Sequence, residues 1–345
     1  MTTMNRQWTL AERPVGEFDE NTFKLVETPM PEPGDGEFLV RNIWLSVDPY
    51  MRGRMSAAKS YAKPVEIGAV MEGGTVGEVI KSNHPDFQAG DIVDERLGWQ
   101  EYAVTKGQLA RKIDPSLAPI STAVGVLGMP GMTAYFGTRD VMGVKEDGTV
   151  VVSAASGAVG GLVGQIARIE GAKRVVGIAG GDAKCRYCVD ELDFDECIDY
   201  RQFNKSTVGI GEALAEACPD GIDGYFDNVG GWISDAVYPL TNAFGRVAIC
   251  GMISEYNLTE PERVPRYTRQ ILTNRLRVTG FIVTDFWTRW PEGMKALAGW
   301  IKDGRLKYRE DVEVGIENAP KALLKLFRSE NFGKQLVKVG DDPTA

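Results

Sequence analysis

Short apolar runs separated by glycine and proline dominate the chain up to about residue 130. Runs rich in β-branched residues, such as 38–43 and 75–80, end at turn-forming residues, which is typical of short strands joined by turns. From 149 to about 300 the pattern changes, and apolar strands alternate with amphipathic helices. Such alternation predicts a parallel sheet with helices on both faces. The pattern therefore predicts an α/β protein in which a β-rich module precedes a doubly wound parallel sheet.

The second region supplies the strands that a complete doubly wound dinucleotide-binding fold requires. They are predicted at 149–153, 174–179, 196–199, 222–227, 245–250 and 277–283. The last 40 or so residues return to short strands, of which 335–339 is the clearest. We expect this last segment to rejoin the first module.

The length and charge of the chain limit the number of domains it can form and the kinds of partner it can bind. A chain of 345 residues is long enough for two domains. Its 39 Lys and Arg against 48 Asp and Glu give a net charge of −9, so a nucleic-acid partner is not expected. No apolar run approaches the roughly 18–20 residues of a membrane span, and the first residues lack the apolar core of a signal peptide. We therefore expect no membrane partner and a cytoplasmic location.

Few residues are suited to metal or nucleophile chemistry. The cysteines lie at 185, 188, 197, 218 and 250, an odd number that predicts free thiols rather than a disulfide framework. The single histidine, His84, lies in a turn-forming string, so neither a metal site nor a Ser/His/Asp system is expected. The Cys185–Cys188 spacing is interpreted as helix packing, because no second pair follows at ligand spacing.

A glycine-rich turn follows the first strand of the predicted parallel sheet. Ala155, Gly157 and Gly160 occupy the three positions of the dinucleotide fingerprint G-x-G-x-x-G, with alanine at the first. Gly157 would let the backbone approach a pyrophosphate, and Gly160 would let the helix pack closely on its strand. The N–H groups at the helix start would bind the anion. The alternative is a glycine-rich turn without a ligand.

The end of the second predicted strand indicates which dinucleotide would bind. Sites for NAD carry an acidic residue there, and 175–181 contains none. Lys184 and Arg186 follow, and their charges could neutralise a 2′-phosphate. The sequence therefore favours NADPH over NADH. In the alternative interpretation both cations are merely exposed on the next helix, with Asp182 as its N-cap.

Several sequence blocks, in order from end to end, carry a family resemblance. The blocks are 45–55, 127–135, 154–164, 179–184, 225–231, 250–256 and 331–334. They resemble the zinc-independent medium-chain dehydrogenases/reductases, in particular the NADPH-dependent curcumin reductases and the prostaglandin, leukotriene and alkenal reductases. The resemblance implies a GroES-like domain at 1–128 and 308–345, a Rossmann NADPH-binding domain at 129–307, and a homodimer.

The resemblance also implies which residues contact the cofactor. The implied pyrophosphate contacts are Ala158, Val159, Gly160 and Gly161, and the implied 2′-phosphate contacts are Lys184 and Tyr200. The other implied contacts are Met132, Thr133, Asn228, Cys250, Gly251, Ile253, Ser254, Tyr256, Phe281, Ile282, Val283 and Asn331. Relatives often carry serine where this chain has Gly181, so one hydroxyl contact to the phosphate is expected to be missing.

Reduction of a carbon–carbon double bond is the chemistry that these residues favour. Carbonyl reduction in this superfamily relies on a metal as Lewis acid, for which the sequence offers no ligand set. Hydride delivery to an enone needs a fixed cofactor and a donor for the carbonyl oxygen. The resemblance places Tyr256 by the nicotinamide ribose and the substrate oxygen, where its phenol could donate. The alternative is a tyrosine that only orders its own loop.

Residues near two predicted strand ends are candidates for binding the substrate. They are Tyr50, Met51, Arg52 and Trp287. An aromatic wall suits an apolar, conjugated ligand, whereas packing is the alternative for each, and Arg52 could instead pair with an acid such as Asp48. We expect an NADPH-dependent reductase of α,β-unsaturated ketones and aldehydes. An NADPH quinone oxidoreductase and a non-catalytic NADPH-binding sensor stay open as alternatives.

Overall fold

Two compact units make up the chain in a computed structural model that describes residues 3–264 and 266–345. One unit contains the chain up to Gly125 together with Glu310–Ala345, and the other is Val126–Arg309. Each has its own apolar core. Within the described residues no helix is long and apolar enough to cross a membrane.

The first unit opens with antiparallel strands. They are β1 (Met4–Leu10), β2 (Phe23–Pro29), β3 (Phe38–Ser46), β4 (Thr75–Ser82), β5 (Ile92–Glu95), β6 (Tyr102–Thr105) and β7 (Arg111–Ile113), with the short helix α1 (Met51–Arg54) after β3. β1 pairs with β2, β3 with β4 and β6, and β5 with β4 and β7. The predicted β-rich module is confirmed.

The second unit alternates strands and helices. In chain order they are α2 (Met129–Phe136), β8 (Thr149–Ser153), α3 (Gly160–Ile169), β9 (Arg174–Ala179), α4 (Asp182–Leu192), β10 (Glu196–Asp199), α5 (Thr207–Ala217), β11 (Ile222–Asp227), α6 (Gly231–Val237), β12 (Thr241–Ile249), α7 (Thr268–Asn274), β13 (Arg277–Gly280) and α8 (Trp290–Lys302). The strands pair in parallel in the order β10-β9-β8-β11-β12-β13. The predicted doubly wound sheet is confirmed.

Strand order reverses between β8 and β11, which are neighbours although β9 and β10 lie between them in the chain. In open α/β sheets a ligand binds outside the carboxyl ends of the strands at such a switch point. A ligand site is therefore expected among the residues that follow β8 and β11.

Two of the strands predicted for the parallel sheet have different bounds in the structure. The strand predicted at 245–250 is Thr241–Ile249, because it contains a bulge: Phe244 has φ +63° and the register with β11 shifts there. The strand predicted at 277–283 ends at Gly280. Beyond it Asp285 accepts a hydrogen bond from the Ile282 N–H, and the chain turns into a 3-10 helix.

The end of the chain returns to the first unit. It forms β14 (Glu310–Val314), α9 (Ala319–Phe327) and β15 (Lys334–Lys338). β15 pairs in parallel with β14 and antiparallel with β3, with Leu336 opposite Ser46. Ala322 and Leu323 on α9 are fully buried in the same core as Leu10. The prediction that the last segment rejoins the first module is confirmed.

Candidate dinucleotide-binding and catalytic site

The turn between β8 and α3 has no room for a side chain at Gly160. A Cβ on this residue would lie 2.3 Å from the Ala154 carbonyl oxygen and 2.9 Å from its carbon. Val159 occupies the N-cap of α3 and makes no side-chain cap hydrogen bond, while the Gly161 N–H donates to the Gly157 carbonyl at 3.0 Å. Such a helix start is a ready site for an anion.

Two further glycines in α3 permit close packing instead. A Cβ on Gly161 would lie 3.0 Å from a methyl carbon of Leu192, and one on Gly164 would lie 2.1 Å from the ring of Phe194. Glycine costs a helix roughly 1 kcal/mol relative to alanine at each position. The two glycines allow α3 to pack closely against α4 and against the segment that follows α4.

The carboxyl end of β9 presents a pair of glycines with an aromatic ring and a guanidinium beside them. A Cβ on Gly180 would lie 2.9 Å from the Tyr200 hydroxyl oxygen, and one on Gly181 would lie 3.4 Å from an Nη atom of Arg201. The Asp199 carboxylate accepts hydrogen bonds from the N–H groups of Gly181 and Arg201, at 2.8 and 3.0 Å. Sequence reasoning missed Arg201, whose only signal was its place directly after Tyr200.

The helix that follows β9 begins differently from the alternative considered above. Gly181, with φ +98°, is its N-cap, and Asp182 is already helical. Asp182 forms an exposed i,i+4 ion pair with Arg186 at 2.9 Å. Lys184 is half-buried one turn from the glycine pair. The arrangement favours Lys184 and Arg201, rather than Arg186, as the cations for a 2′-phosphate.

A hydrogen-bonded network links the ends of β8 and β11. The Asn228 N–H donates to the Ser153 hydroxyl at 2.9 Å, and the Asn228 amide donates to the Ser153 carbonyl at 2.8 Å. Asp227, which is buried, accepts from the N–H groups of Val229 and Gly230 at 3.0 and 2.9 Å. Asp227 and Ser153 were not predicted as site residues, and their role is to hold the backbone around Asn228.

The loop after β12 is tied to the same network. The Ser254 hydroxyl donates to the Val229 carbonyl at 2.7 Å, and the Gly231 N–H donates to the Glu255 carboxylate at 3.0 Å. Burial raises the pKa of the Cys250 thiol, at the start of this loop, to about 12. The two hydrogen bonds hold the loop against the switch point. The raised pKa keeps the Cys250 thiol protonated at neutral pH.

Tyr256 is half-buried at the end of this loop. Its hydroxyl oxygen accepts a hydrogen bond from the Met252 N–H at 3.2 Å and lies 3.3 Å from where a Cβ on Gly251 would be. This contact orders the loop and uses an oxygen lone pair, whereas the proposed chemistry uses the phenol proton. Both interpretations of Tyr256 are compatible with this geometry.

Other predicted contacts in this unit lie in more buried surroundings. Met132 is fully buried on α2, and the Thr133 hydroxyl donates to the Met129 carbonyl at 2.8 Å. The ring of Phe281 packs edge-on against Phe226, with ring centres 6.2 Å apart. Ile282 and Val283 lead into the 3-10 helix after β13. Their cofactor contacts stay predictions.

Trp287 differs from these residues because it is exposed. Its side chain is 46% exposed, and its ring centre lies 4.5 Å from that of Trp290. An exposed, paired aromatic surface can bind an apolar ligand or a protein partner. Its role in substrate binding stays a prediction.

The remaining candidates belong to the first unit. Met51 is fully buried in the core, and the Arg52 guanidinium donates to the Pro14 and Gly16 carbonyls at 3.3 and 2.8 Å. Burial raises the pKa of the Tyr50 phenol. The Asn331 amide donates to the Gly333 carbonyl at 2.9 Å.

A buried ion pair lies beside these residues. The Lys334 ammonium contacts the Asp48 carboxylate at 2.8 Å and the Val47 carbonyl at 2.9 Å, and the Ser46 hydroxyl donates to the same carboxylate. Asp48, considered above as a partner for Arg52, is thus held by Lys334.

Across residues 3–264 and 266–345, no three His, Cys, Asp or Glu side chains are grouped so as to hold a metal ion. His84 lies in the turn after β4, where its Nδ1 accepts a hydrogen bond from the Asp86 N–H at 3.1 Å. The groups gathered at the switch point are backbone N–H groups, the hydroxyls of Ser153 and Ser254 and the carboxylates of Asp227 and Glu255, which accept hydrogen bonds from backbone N–H groups.

Two family models match the chain. The model described as "N-terminal domain of oxidoreductase" matches residues 6–113, and the one described as "Zinc-binding dehydrogenase" matches residues 158–299. Together they fall on both structural units.

Curated relatives match over almost the whole chain. The chain is 46% identical over 344 residues to the NADPH-dependent curcumin reductase of Escherichia coli (strain K12), covering 98% of each. It is 43% identical over 316 residues to the 2-alkenal reductase (NADP(+)-dependent) of Nicotiana tabacum, covering 91% of this chain and 90% of that one.

A solved structure extends the similarity to the fold. CurA from Vibrio vulnificus, determined in complex with NADPH, superposes with a TM-score of 0.92 at 46% identity, covering 98% of this chain and 100% of that one. Similarity at this level over the full length leaves no room for a chance match. The chain therefore belongs to the medium-chain dehydrogenase/reductase family, among the curcumin, prostaglandin and 2-alkenal reductases.

Proposed function

We propose that this chain reduces the carbon–carbon double bond of α,β-unsaturated ketones and aldehydes with NADPH. The observation that carries the proposal is the meeting, at one switch point, of the α3 helix start with the loop that bears Tyr256. The relatives named as curcumin and 2-alkenal reductases support the same reaction class.

The chain's own residues fit a phosphorylated dinucleotide. The N–H groups of Gly157 and Gly161 donate to carbonyls of the turn itself, and the N–H groups between them, from 158 to 160, would face the pyrophosphate. The missing Cβ at Gly160 lets the turn fold this tightly. Tyr200 and Arg201 lie beside the glycines after β9, and Lys184 is the third residue of the helix that follows them. These three residues would hold the 2′-phosphate. When bound, NADPH supplies the hydride that adds to the β-carbon of the enone.

Tyr256 is the proposed donor to the substrate carbonyl. Negative charge develops on that oxygen as the β-carbon is reduced, and a positioned O–H stabilises it. The hydrogen bond from Met252 fixes the phenol oxygen, and the ties of Ser254 and Glu255 to the segment after β11 fix the loop. These contacts position the donor before the substrate arrives.

The role of Tyr256 is tested by Tyr256→Phe. We expect turnover to fall by about tenfold or more, because one donor to the developing oxyanion is lost, with NADPH affinity within twofold of the unsubstituted chain. Single-turnover oxidation of NADPH with an enone measures the first, and fluorescence titration measures the second. Unchanged turnover would leave Tyr256 with a structural role only.

The proposal extends to the substrate-binding residues and to the assembly. Tyr50, Met51 and Arg52 in the first unit and Trp287 in the second stay candidates for binding the substrate. β13 lies at the edge of the parallel sheet, and an edge strand is a natural place for two copies to pair. We propose a homodimer through this edge in a cytoplasmic enzyme. Light scattering on a sizing column that gave a single-chain mass would refute the dimer.

The reaction class is tested with a substrate panel. NADPH consumption is followed with an enone, an enal, a quinone and a saturated ketone, with NADH as the control cofactor. We expect turnover of the enone and enal, with two hydrogens added across the carbon–carbon bond, and none of the saturated ketone. Reaction with the quinone alone would identify a quinone reductase. NADPH binding without any turnover would identify a sensor.

A further inference from the structure

Asp227 is a buried acid at the carboxyl end of β11, and it is 3% exposed. Its Oδ1 accepts hydrogen bonds from the N–H groups of Val229 and Gly230 at 3.0 and 2.9 Å. Its Oδ2 accepts from the Ser234 hydroxyl at 2.6 Å, and the Tyr225 hydroxyl lies 3.0 Å from Oδ1. Donors on both oxygens suit the ionised carboxylate, because that form can only accept.

No cation neutralises this carboxylate. Within residues 3–264 and 266–345, Asp227 forms no ion pair with a lysine or arginine, and its hydrogen-bond partners are neutral hydroxyls and N–H groups. Buried acids usually have a charged partner, as Asp48 has in Lys334. A buried charge without a counterion acts strongly on its surroundings, because little water screens it.

The main chain of Asp227 connects this charge to the loop that bears Tyr256. The Asp227 carbonyl accepts hydrogen bonds from the N–H groups of Cys250 and Gly251, at 2.8 and 3.1 Å. The Ser153 hydroxyl, at the end of β8, lies 3.3 Å from Oδ1 of the carboxylate. The charge is therefore held at the switch point, where the ends of β8 and β11 meet the loop after β12.

The strand order indicates which half of the dinucleotide belongs at this point. The proposed function assigns the 2′-phosphate to the residues after β9 and the pyrophosphate to the turn after β8. The strands β9, β8, β11 and β12 are neighbours in that order. A dinucleotide that extends along the carboxyl ends of the strands therefore has its nicotinamide half on the side of β11 and β12.

We propose that the Asp227 carboxylate stabilises the positive charge of oxidised nicotinamide, so that it strengthens binding of NADP⁺ relative to NADPH and favours hydride transfer. This inference rests on the proposed function, which supplies the cofactor. Loss of a hydride to the β-carbon leaves the ring with one positive charge, and the displaced electron pair of the double bond leaves one negative charge on the substrate oxygen. Proton uptake at the α-carbon then neutralises the substrate. Asp227 and Tyr256 thus act on opposite ends of the charge separation.

Asp227→Asn removes the charge and keeps the shape of the side chain. The amide oxygen would accept from the N–H groups of Val229 and Gly230, and the amide nitrogen would donate to the Ser234 hydroxyl, which can accept as well as donate. Ser234→Ala is the control that removes one donor and keeps the charge. Asp223→Asn is the control for charge, because Asp223 lies on the same strand near its opposite end and pairs with a lysine.

The dissociation constants of NADP⁺ and NADPH are measured by calorimetric titration without substrate, and urea unfolding shows which variants fold. We expect Asp227→Asn to raise the ratio of the NADP⁺ constant to the NADPH constant by about threefold or more, because one charge of the cofactor loses its attraction. The ratio should stay within about twofold in Ser234→Ala and Asp223→Asn, which keep the Asp227 charge. A merely structural role would weaken the binding of both forms alike.

The outcomes separate this inference from the proposed function. A smaller rise of the ratio in Asp227→Asn, or an equal rise in Asp223→Asn, would overturn the inference while both dinucleotides still bind. If Asp227→Asn does not fold, the unsubstituted protein decides. NADP⁺ binding at least as tight as NADPH binding would then support the role of the carboxylate, and weaker NADP⁺ binding would overturn it. Failure of the unsubstituted protein to bind either dinucleotide would refute the proposed function itself, and the inference with it.

Discussion

Replacing Gly160 by alanine tests the pyrophosphate turn most directly. The new Cβ would lie 2.3 Å from the Ala154 carbonyl oxygen, and the other two nearest atoms are also backbone atoms. Ordinary contact requires about 3.4 Å, so the turn or the start of α3 must move by about 1 Å. No rotamer change can absorb this movement, because the neighbours are main-chain atoms.

The expected effect on binding follows from the loss of aligned donors. A hydrogen bond to a charged group contributes about 1.5–3 kcal/mol, and a displaced helix start weakens at least one of them. Because 1.4 kcal/mol is tenfold in affinity, we expect NADPH to bind about 10- to 100-fold more weakly. NADH should be affected equally, since the pyrophosphate is common to both dinucleotides.

Two other glycines provide matched controls for stability. Gly164→Ala places its Cβ 2.1 Å from the Phe194 ring, and Gly160→Ala and Gly164→Ala should each cost about 1–3 kcal/mol through overpacking. Gly211 on α5 has nothing within 4 Å of a Cβ, so Gly211→Ala should stabilise by up to about 1 kcal/mol. Gly164→Ala should change cofactor affinity by less than about threefold, because it lies one turn beyond the phosphate turn.

Fluorescence titration with NADPH and NADH measures affinity, and urea unfolding measures stability in the same preparations. The reasoning is refuted if Gly160→Ala binds NADPH within twofold of the unsubstituted chain. It is also refuted if Gly164→Ala, at equal stability, loses as much affinity as Gly160→Ala, since the loss would then come from general disruption of α3.

Three further predictions concern charges and thiols. Lys184→Met should weaken NADPH binding about tenfold or more and leave NADH binding unchanged, and equal losses in calorimetric titrations would contradict its role at the 2′-phosphate. Lys334→Met should lower the free energy of unfolding in urea by about 3–5 kcal/mol, because Asp48 is left buried without its cation; a loss below about 1 kcal/mol would show that the pair is dispensable. Burial raises the pKa of Cys218 and Cys250 from 9.0 to about 12, because the folded protein favours the neutral thiols. Their contribution to the stability of the folded state is therefore complete below pH 9 and is lost as pH rises toward 12. The free energy of unfolding should fall over this range and fall less in Cys218→Ala/Cys250→Ala; equal slopes would contradict the assignment.

Sequence patterns over neighbouring residues predicted most of the fold and part of the candidate site. The strand, turn and helix around Gly160 are encoded within about 20 consecutive residues, and the close approach at Gly160 is to a carbonyl six positions earlier in the chain. Apolar runs such as Thr149–Ser153 are buried along their whole length, so their hydrophobicity marks them without knowledge of their partners. These features depend on local geometry, which a pattern can express.

Features that depend on contacts between distant segments were not predictable. The Asp199 carboxylate organises Gly181 from 18 positions away, and Ser153 receives the Asn228 N–H from 75 positions away. Phe244 adopts a left-handed backbone conformation inside β12, at a bulge. A bulge breaks the alternation of side chains, so the strand predicted from that alternation was too short. Each of these needs the sheet to be assembled first.

The glycine at 181 shows how such a distant contact can replace a local one. With φ +98°, this position disfavours any L side chain, so serine there would add a hydroxyl at the expense of backbone strain. Glycine relieves the strain, and the Arg201 guanidinium lies beside the vacant Cβ position. Recognition of the 2′-phosphate would then depend on cations from two elements, Lys184 on α4 and Arg201 after β10.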